Sequence, residues 1–318
     1  MTPLRQITVF GGSGFLGRHL VRHLAPDGVT IRIPTRDPEK ALPLKPAGNV
    51  GQIVPVFCSA RSDLSVARAI GKSDAVVNLI GIIHERGRNS FQAVHVEAAA
   101  RIARLAREEG AKNFVHMSAL GADMQSASKY ARSKAAGEQA VRTFFPDAAI
   151  MRPSLVFGPE DGFFNLFASL ARFLPVLPLI GGGGTKFQPV YVGDIASAIR
   201  TALTRPDAKG RVFELGGPRV YTFRELLELI MEETGRKRAL IAVPWALAKL
   251  KASFAQILPH PLLTRDQVEL LKIDNVLRDA QAKTLRDLGI TPTALEMILP
   301  TYMDRFRAGG PLKATNAA

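Results

Sequence analysis

Three glycines set the terms on which this chain can fold. Gly11, Gly14 and Gly17 follow a strand-like run at 5–10 (RQITVF) and open a helical pattern that reaches Leu24. The first glycine of such a series allows a tight turn. The second lets backbone approach a pyrophosphate, and the third brings helix and strand into close contact. The first amides of the helix then face the phosphates, with the helix dipole behind them. A glycine series alone is a weak signal. Placed directly after the first strand of an alternating strand–helix pattern, it specifies a nucleotide site, to which Ser13, Phe15 and Leu16 of the same turn also belong.

The alternation is present. Strand-like runs at 29–34, 52–57, 75–80, 113–118 and from 149 are separated by helical patterns at 64–70, 90–109 and 128–144; Pro55 weakens the run at 52–57. This order predicts a doubly wound parallel sheet, a Rossmann α/β fold, with helices on both faces. The second half is less regular. It predicts a helix at 162–173, a mobile or tightly turning connection at 175–184, and a strand then a helix capped by Asp194 at 190–203. A further strand is expected at 212–215, a helix at 222–235 with Thr222 and Glu225 as a capping box, and two helical stretches within 266–288.

A chain of 318 residues has room for two such bodies and buries enough surface to need no covalent staple. Its one cysteine, Cys58, excludes an intrachain disulfide, and no metal site is expected. No run is long and apolar enough for a spanning helix, and the first residues lack the pattern of a secretory signal. The net charge of +14 favours an anionic partner without choosing among nucleic acid, lipid and protein.

Cofactor choice is read at the end of the second strand. A carboxylate there suits the ribose hydroxyls of NAD, whereas a guanidinium grips the 2′-phosphate of NADP. Arg36 occupies that place and favours NADP(H) over NAD(H); Asp37, one residue on, would reverse the choice if the register slipped. Asp63 and Leu64 follow the third strand as candidates for the adenine pocket, with a plain helix start as the other reading. Asn78 and Gly81 end the fourth strand, where backbone would pass the nicotinamide ribose. Tyr130 and Lys134 share a helix face, so the ammonium is expected to lower the tyrosine pKa, and Ser118 ends the fifth strand as a donor to a substrate oxygen. That trio suits proton transfer coupled to hydride transfer.

GGSGFLG (11–17), Asp63-Leu64, Asn78, Ser118, YARSK (130–134), RPSLVFGPED (152–161) and VYVGDIA (190–196) together resemble the landmarks of the short-chain dehydrogenase/reductase family, of the extended or atypical kind. The resemblance covers about 5–300. It implies a nucleotide-binding domain over 1–158 and a mixed region over 159–305 that completes that body and builds the smaller C-terminal α/β lobe over the cofactor; the composition of the last residues makes 306–318 a flexible tail. It gives Tyr130 the acid/base role, Lys134 the helper and ribose ligand, Ser118 the substrate-oxygen donor, and Arg152 a place at the site floor.

Only eleven residues separate Ser118 from Tyr130, fewer than sugar-nucleotide epimerases use to shape their substrate side. The run HMSALGADMQSASKYARSKAAGE (116–138) resembles a narrower group, the NADPH-binding accessory subunits of respiratory complex I and their bacterial relatives. That likeness implies a mainly structural NADP(H), partners in the hydrophilic arm and quinone-site subunits, and a peripheral place on the cytoplasmic face of a bacterial inner membrane. The alternative is a free NADP-dependent reductase or epimerase of the soluble cytoplasm that uses Ser118, Tyr130 and Lys134 as catalytic residues.

Between Glu233 and Asp266 lie 32 residues without an acidic side chain, carrying Arg236, Lys237, Arg238, Lys249, Lys251 and Arg265. Trp245, Leu247, Leu250, Phe254, Ile257, Leu258, Leu262 and Leu263 are interleaved with them. Residues 236–265 therefore read either as a lobe helix with a core face or as a surface for anionic lipid or a membrane-bound partner. No nucleic-acid partner is expected, because aliphatics outnumber the aromatics needed for stacking.

Overall fold

The computed structural model describes residues 4–255, 261–278 and 282–307. They divide into two units: one from the described parts of 1–153, 192–215 and 279–291, the other from those of 154–191, 216–278 and 292–318.

The first unit is built on seven parallel strands: β1 (Gln6–Phe10), β2 (Thr30–Thr35), β3 (Ile53–Phe57), β4 (Ala75–Asn78), β5 (Asn113–Met117), β6 (Ala149–Pro153) and β7 (Val212–Leu215). Their order across the sheet is β7-β6-β5-β4-β1-β2-β3. The central strands are apolar on both faces, with Val9, Val76 and Val77 wholly buried, as a sheet covered on both sides requires. Helices α1 (Phe15–Leu24), α2 (Asp63–Ile70), α3 (Ala98–Glu108), α4 (Lys129–Phe144) and α5 (Val192–Thr204) belong to this unit. Strand order reverses between β1 and β4, and the crevice beyond the carboxyl ends of those strands is where doubly wound sheets bind ligands.

Pro55 lies within β3 after all. That strand is an edge of the sheet, paired with β2 alone, so the missing amide costs no ladder bond on the other side. The helix expected at 90–109 opens with a π-helical stretch, Gln92–Glu97, before α3 begins at Ala98. Asp194 lies inside its helix and not before it: α5 starts at Val192 directly after a two-residue strand, which puts Asp194 in the first turn. His19 and His23 stand four apart on α1, a spacing the expectation of no metal site overlooked. His23 Nε2 meets Ser197 Oγ at 2.9 Å, and no third ligand-type side chain joins the pair among the described residues.

The second unit has a core of Phe157, Phe164, Phe187, Phe223, Leu226 and Leu299 among others. Inside it, buried Asp161 accepts hydrogen bonds from Phe164 N at 2.6 Å and from the Tyr302 hydroxyl at 2.7 Å. The connection expected at 175–184 is instead a strand, Val176–Ile180, paired in parallel with Ala239–Val243, a strand the sequence pattern did not announce. Only the glycines after it, Gly181–Gly183, make the tight turn. The capping box of Thr222 and Glu225 forms as expected. Of the two stretches within 266–288, one is the helix Arg265–Leu270 and the other a single 3-10 turn, Arg286–Leu288. The helix Trp245–Ala255 falls within 236–265, where a lobe helix was one of the two readings; the helix Leu295–Met303 was not foreseen. The tail beyond Arg307 lies outside the described residues.

Candidate nucleotide site

The glycine turn leaves β1 through Gly11, whose φ of 79° is open to glycine and strained for other residues. Gly17 secures the approach of helix to strand: a Cβ there would lie 2.2 Å from the carbonyl oxygen of Gly11. The turn closes with Gly14 N donating to Gly11 O at 3.0 Å, and α1 starts without an acidic residue in its first turn. A cavity of about 260 Å³ opens against this turn. Its wall includes Gly11 and Ser13 from the turn, Thr35 and Arg36 from the end of β2, Ser59 and Arg61 from the segment after β3, and Gly81 and Asn89 from the segment after β4.

Of the expected cofactor residues, Gly11, Ser13, Arg36 and Gly81 line this cavity, whereas Gly14, Phe15, Leu16, Gly17, Asn78, Tyr130 and Lys134 are not in its wall. Asp63 and Leu64 are not in the wall. Asp63 starts α2 and is held by ion pairs to Arg101 at 2.6 Å and to Arg104, which hold its carboxyl below the ordinary carboxylate range. The chain reaches the cavity with Ser59, Ala60 and Arg61 instead. Asp37, the residue that complicated the cofactor choice, is absent from the wall and stands 3.5 Å from Lys40 Nζ. The wall therefore contains two arginines and no acidic residue, a set that fits an anionic ligand.

Ser118, Tyr130 and Lys134 are brought together at the carboxyl end of β5. Lys134 is buried, and its Nζ donates to Met117 O at 2.9 Å, one residue before Ser118. Ser118 is buried, and its Oγ has no hydrogen-bond partner among the described residues. Such a group is costly to leave unmet, so it marks a place where a ligand oxygen would be welcome. The expected lowering of the tyrosine pKa is not found. Burial pushes Tyr130 up to about 12, and the ammonium, 6.0 Å from the ring centroid, donates to the Met117 carbonyl. Burial also pulls Lys134 down to about 8, with Glu138 opposing.

The sequence reading missed His95, His116 and Ser133. Ile82 N–H donates to His95 Nε2 at 3.0 Å, so the neutral ring carries its proton on Nδ1 and donates it to Ser133 Oγ at 2.8 Å. Ser133 Oγ donates in turn to Tyr130 O at 2.7 Å. This chain ties the segment after β4 to the turn of α4 that bears the tyrosine. The His95 ring also stacks on Phe91 and meets Tyr130 edge-on at 5.5 Å. Asn78 Oδ1 accepts from Ile80 N, which turns its Nδ2 toward His116 Nδ1 at 3.3 Å. Burial pulls both imidazoles down to about 3, with the Lys134 charge adding to the effect. His95 sits in the π-helical stretch, a local rearrangement that no periodicity announces.

Arg152, expected at the floor of the nucleotide site, is not in the cavity wall. Its guanidinium forms two parallel bonds to Glu138, Nε to Oε1 at 2.8 Å and Nη2 to Oε2 at 2.7 Å, and stands 3.8 Å from Glu214. Two buried carboxylates claim the guanidinium before any ligand can, and with Glu138 it lines a separate open cavity beside α4.

The family model "NAD dependent epimerase/dehydratase family" matches residues 7–216. The chain is 37% identical over 316 residues to "NADH dehydrogenase (ubiquinone) 1 alpha subcomplex subunit 9, mitochondrial" of Arabidopsis thaliana, covering 96% of this chain and 78% of that protein. It is 34% identical over 244 residues to "Ceramide reductase" of Caulobacter vibrioides, covering 75% of this chain and 73% of that one. Among solved structures it superposes on the dTDP-glucose 4,6-dehydratase of Streptomyces venezuelae, with NAD and TYD bound, at a TM-score of 0.70 and 20% identity, covering 95% of this chain and 96% of that one. At that identity the likeness is one of fold.

Proposed function

The chain belongs to the NAD dependent epimerase/dehydratase family, and from that premise we propose that it is an NADP(H)-binding accessory or assembly subunit of a respiratory NADH–quinone oxidoreductase, in which the nucleotide is chiefly structural. The observation that carries this reading is the extent of the likeness. The family model ends at residue 216, whereas the 37% sequence identity with the mitochondrial subunit runs along 96% of the chain and so takes in both units. The reductase relative accounts for 75%.

The site supports a binding role. Lys134 Nζ is engaged by the Met117 carbonyl, and burial pushes Tyr130 up to about 12. The nucleotide, when bound, supplies a hydride donor or acceptor; what this chain supplies is the glycine turn, the guanidinium of Arg36 and the Ser118 hydroxyl. Binding to the native state alone would stabilise it by about 2.7 kcal/mol at a hundredfold excess over Kd.

The partners in this reading are the hydrophilic-arm and quinone-site subunits of the complex, with the protein peripheral on the cytoplasmic face of a bacterial inner membrane. Among the described residues no helix is long and apolar enough to cross a membrane. The helix Trp245–Ala255 turns Ala248 and Ala252 inward and leaves Leu247, Leu250 and Phe254 exposed, the reverse of an ordinary amphipathic helix. Lys251 beside them is exposed as well.

The test is solubilisation of native membranes in mild detergent, followed by native separation. Migration with a large NADH-oxidising, quinone-reducing complex, unchanged in Tyr130→Phe, is the expected outcome. A second reading, a free NADP-dependent reductase, is favoured by the unmet Ser118 Oγ beside Tyr130 and Lys134. Discrete soluble protein whose NADPH oxidation is lost in Tyr130→Phe would establish it instead.

A further inference from the structure

Arg61 belongs to no part of the site foreseen above, yet it lines the nucleotide cavity together with Arg36. The register explains the meeting. Thr35 pairs with Phe57 across β2 and β3, and Cys58 N donates to Thr35 O at 2.8 Å, so the two strands release their chains side by side at one rim. Arg36 is the first residue beyond β2, and Arg61 comes from the segment leaving β3.

Unlike Arg36, Arg61 is held. Its Nη2 donates to Arg88 O at 2.5 Å and to Asn89 Oδ1 at 3.0 Å. Arg88 and Asn89 belong to a small hairpin after β4, closed by reciprocal backbone bonds of 3.0 Å between Arg86 and Asn89. Asn89 itself lines the cavity. The side chain thus spans the rim from the segment after β3 to the segment after β4, while Nε and Nη1 have no partner among the described residues. A guanidinium fixed through Nη2 and open at Nε and Nη1 is preorganised to donate a charge-assisted hydrogen bond to an oxyanion from either open nitrogen, because its rotamers are already restricted before the ligand arrives. The carboxylates that would neutralise it are drawn elsewhere, Asp37 to Lys40 and Asp63 to Arg101 and Arg104.

We propose that Arg61, braced by the 86–89 hairpin, is a second anchor for a phosphate on the adenosine ribose, opposing Arg36, and that engagement of this phosphate orders the hairpin. The inference rests on the nucleotide site of the proposed function and names the residue that sets its selectivity. A ribose 2′-phosphate carries more negative charge than one guanidinium balances, and two meet it without an intervening carboxylate. The same geometry makes Arg61 a coupling element: a ligand that pulls on the guanidinium pulls on the hairpin that holds it.

The test uses the full-length protein, calorimetric titration with NADPH and with NADH, and amide hydrogen exchange over 84–91. Arg61→Ala should weaken NADPH binding by about tenfold or more while changing NADH binding by less than about threefold, with Arg36→Ala as the reference for a phosphate contact. Arg61→Lys, which keeps the charge without the braced planar donors, should fall between. NADPH should slow exchange in the hairpin of the natural protein and lose that effect in Arg61→Ala. Equal weakening of both nucleotides would make Arg61 a general adenosine contact and overturn the proposal, as would unchanged NADPH affinity. If the natural protein binds neither nucleotide, the nucleotide site itself fails, an outcome distinct from failure of Arg61 alone.

Discussion

Lys134 Nζ donates to Met117 O at 2.9 Å, so the helix that carries Tyr130 is fastened to the strand end that carries Ser118. The fastening places an ammonium in a buried position, and burial pulls its pKa from 10.5 to about 8. The folded value lies below the unfolded one. As pH rises through this interval the unfolded chain holds the proton that the folded chain has released, and stability rises with pH. Relative to Lys134→Met, the natural protein should gain about 1.4 kcal/mol per pH unit between pH 8 and 10. Urea unfolding of both proteins across that range is the measurement, and parallel profiles would mean that the lysine is solvated.

The two imidazoles give the opposite end of the pH scale. His95 and His116 are pulled from 6.5 to about 3, chiefly by burial. Their neutral forms contribute stability that is complete above the unfolded value and is lost as pH falls toward the folded one. Acid should therefore weaken the first unit below pH 6.5, before most carboxylates titrate. His116→Asn should flatten the profile between pH 6.5 and 5 by about 1.4 kcal/mol per pH unit. The comparison is of denaturation midpoints for the two proteins at matched ionic strength; an unchanged slope would place His116 in contact with water.

Much of this arrangement was legible before any coordinates. Gly11, Gly14 and Gly17 required a turn between a strand and a helix, and the turn is there because Gly17 has no room for a side chain. The spacing of Tyr130 and Lys134 put them on one helix face. What escaped was set by tertiary contact. Val176–Ile180 looks like a loop because it contains Pro178 and ends in glycines, and it becomes a strand only because Ala239–Val243 lies beside it. Arg152 looked like a ligand residue because nothing in its local sequence reveals Glu138 and Glu214, which come from a helix and from the neighbouring strand β7. His95 lies in a run that reads as ordinary helix, and the π-helical stretch that aims it at Ile82 has no periodic signature.

The Arg152–Glu138 pair predicts a non-additive response. Side-chain exposure is 26% for Arg152 and 8% for Glu138, so removing either partner strands the other in a poorly solvated place. Arg152→Met should cost about 3–5 kcal/mol, and Glu138→Met a similar amount. The double substitution should recover a large part, since two apolar groups of like volume leave no unpaired charge between them. Glu214, 3.8 Å from the guanidinium, limits the recovery. A double-mutant cycle by chemical denaturation measures the coupling, and simple additivity would show that the two side chains are solvated independently.

The helix Trp245–Ala255 supplies the last prediction. Leu250 is 56% and Phe254 69% exposed, on a helix whose buried positions are alanines. Reading the basic segment as one block of free charge needs amendment, because Lys249 Nζ pairs with Glu269 at 2.8 Å and Lys272 joins the same carboxylate. Lys251 remains exposed beside the apolar stripe, while Ile257 and Leu258 lie outside the described residues. If this face holds the protein to a membrane or a membrane-bound partner, attachment should combine a screened part with an unscreened one. The Debye length falls from about 8 Å at physiological ionic strength to about 3 Å at 1 M, which weakens the contribution of Lys251. Burial of Leu250 and Phe254 resists salt and yields to detergent. Leu250→Asp with Phe254→Asp should therefore release the protein from sedimenting membranes at low salt. Lys251→Glu alone should lower the salt needed for release. Both variants should bind NADPH as the natural protein does, because the cavity wall lies in the other unit. Membrane sedimentation, with calorimetry in parallel, decides the matter: natural protein found wholly in the supernatant at low salt, free of any large partner, would overturn the docking role of this helix.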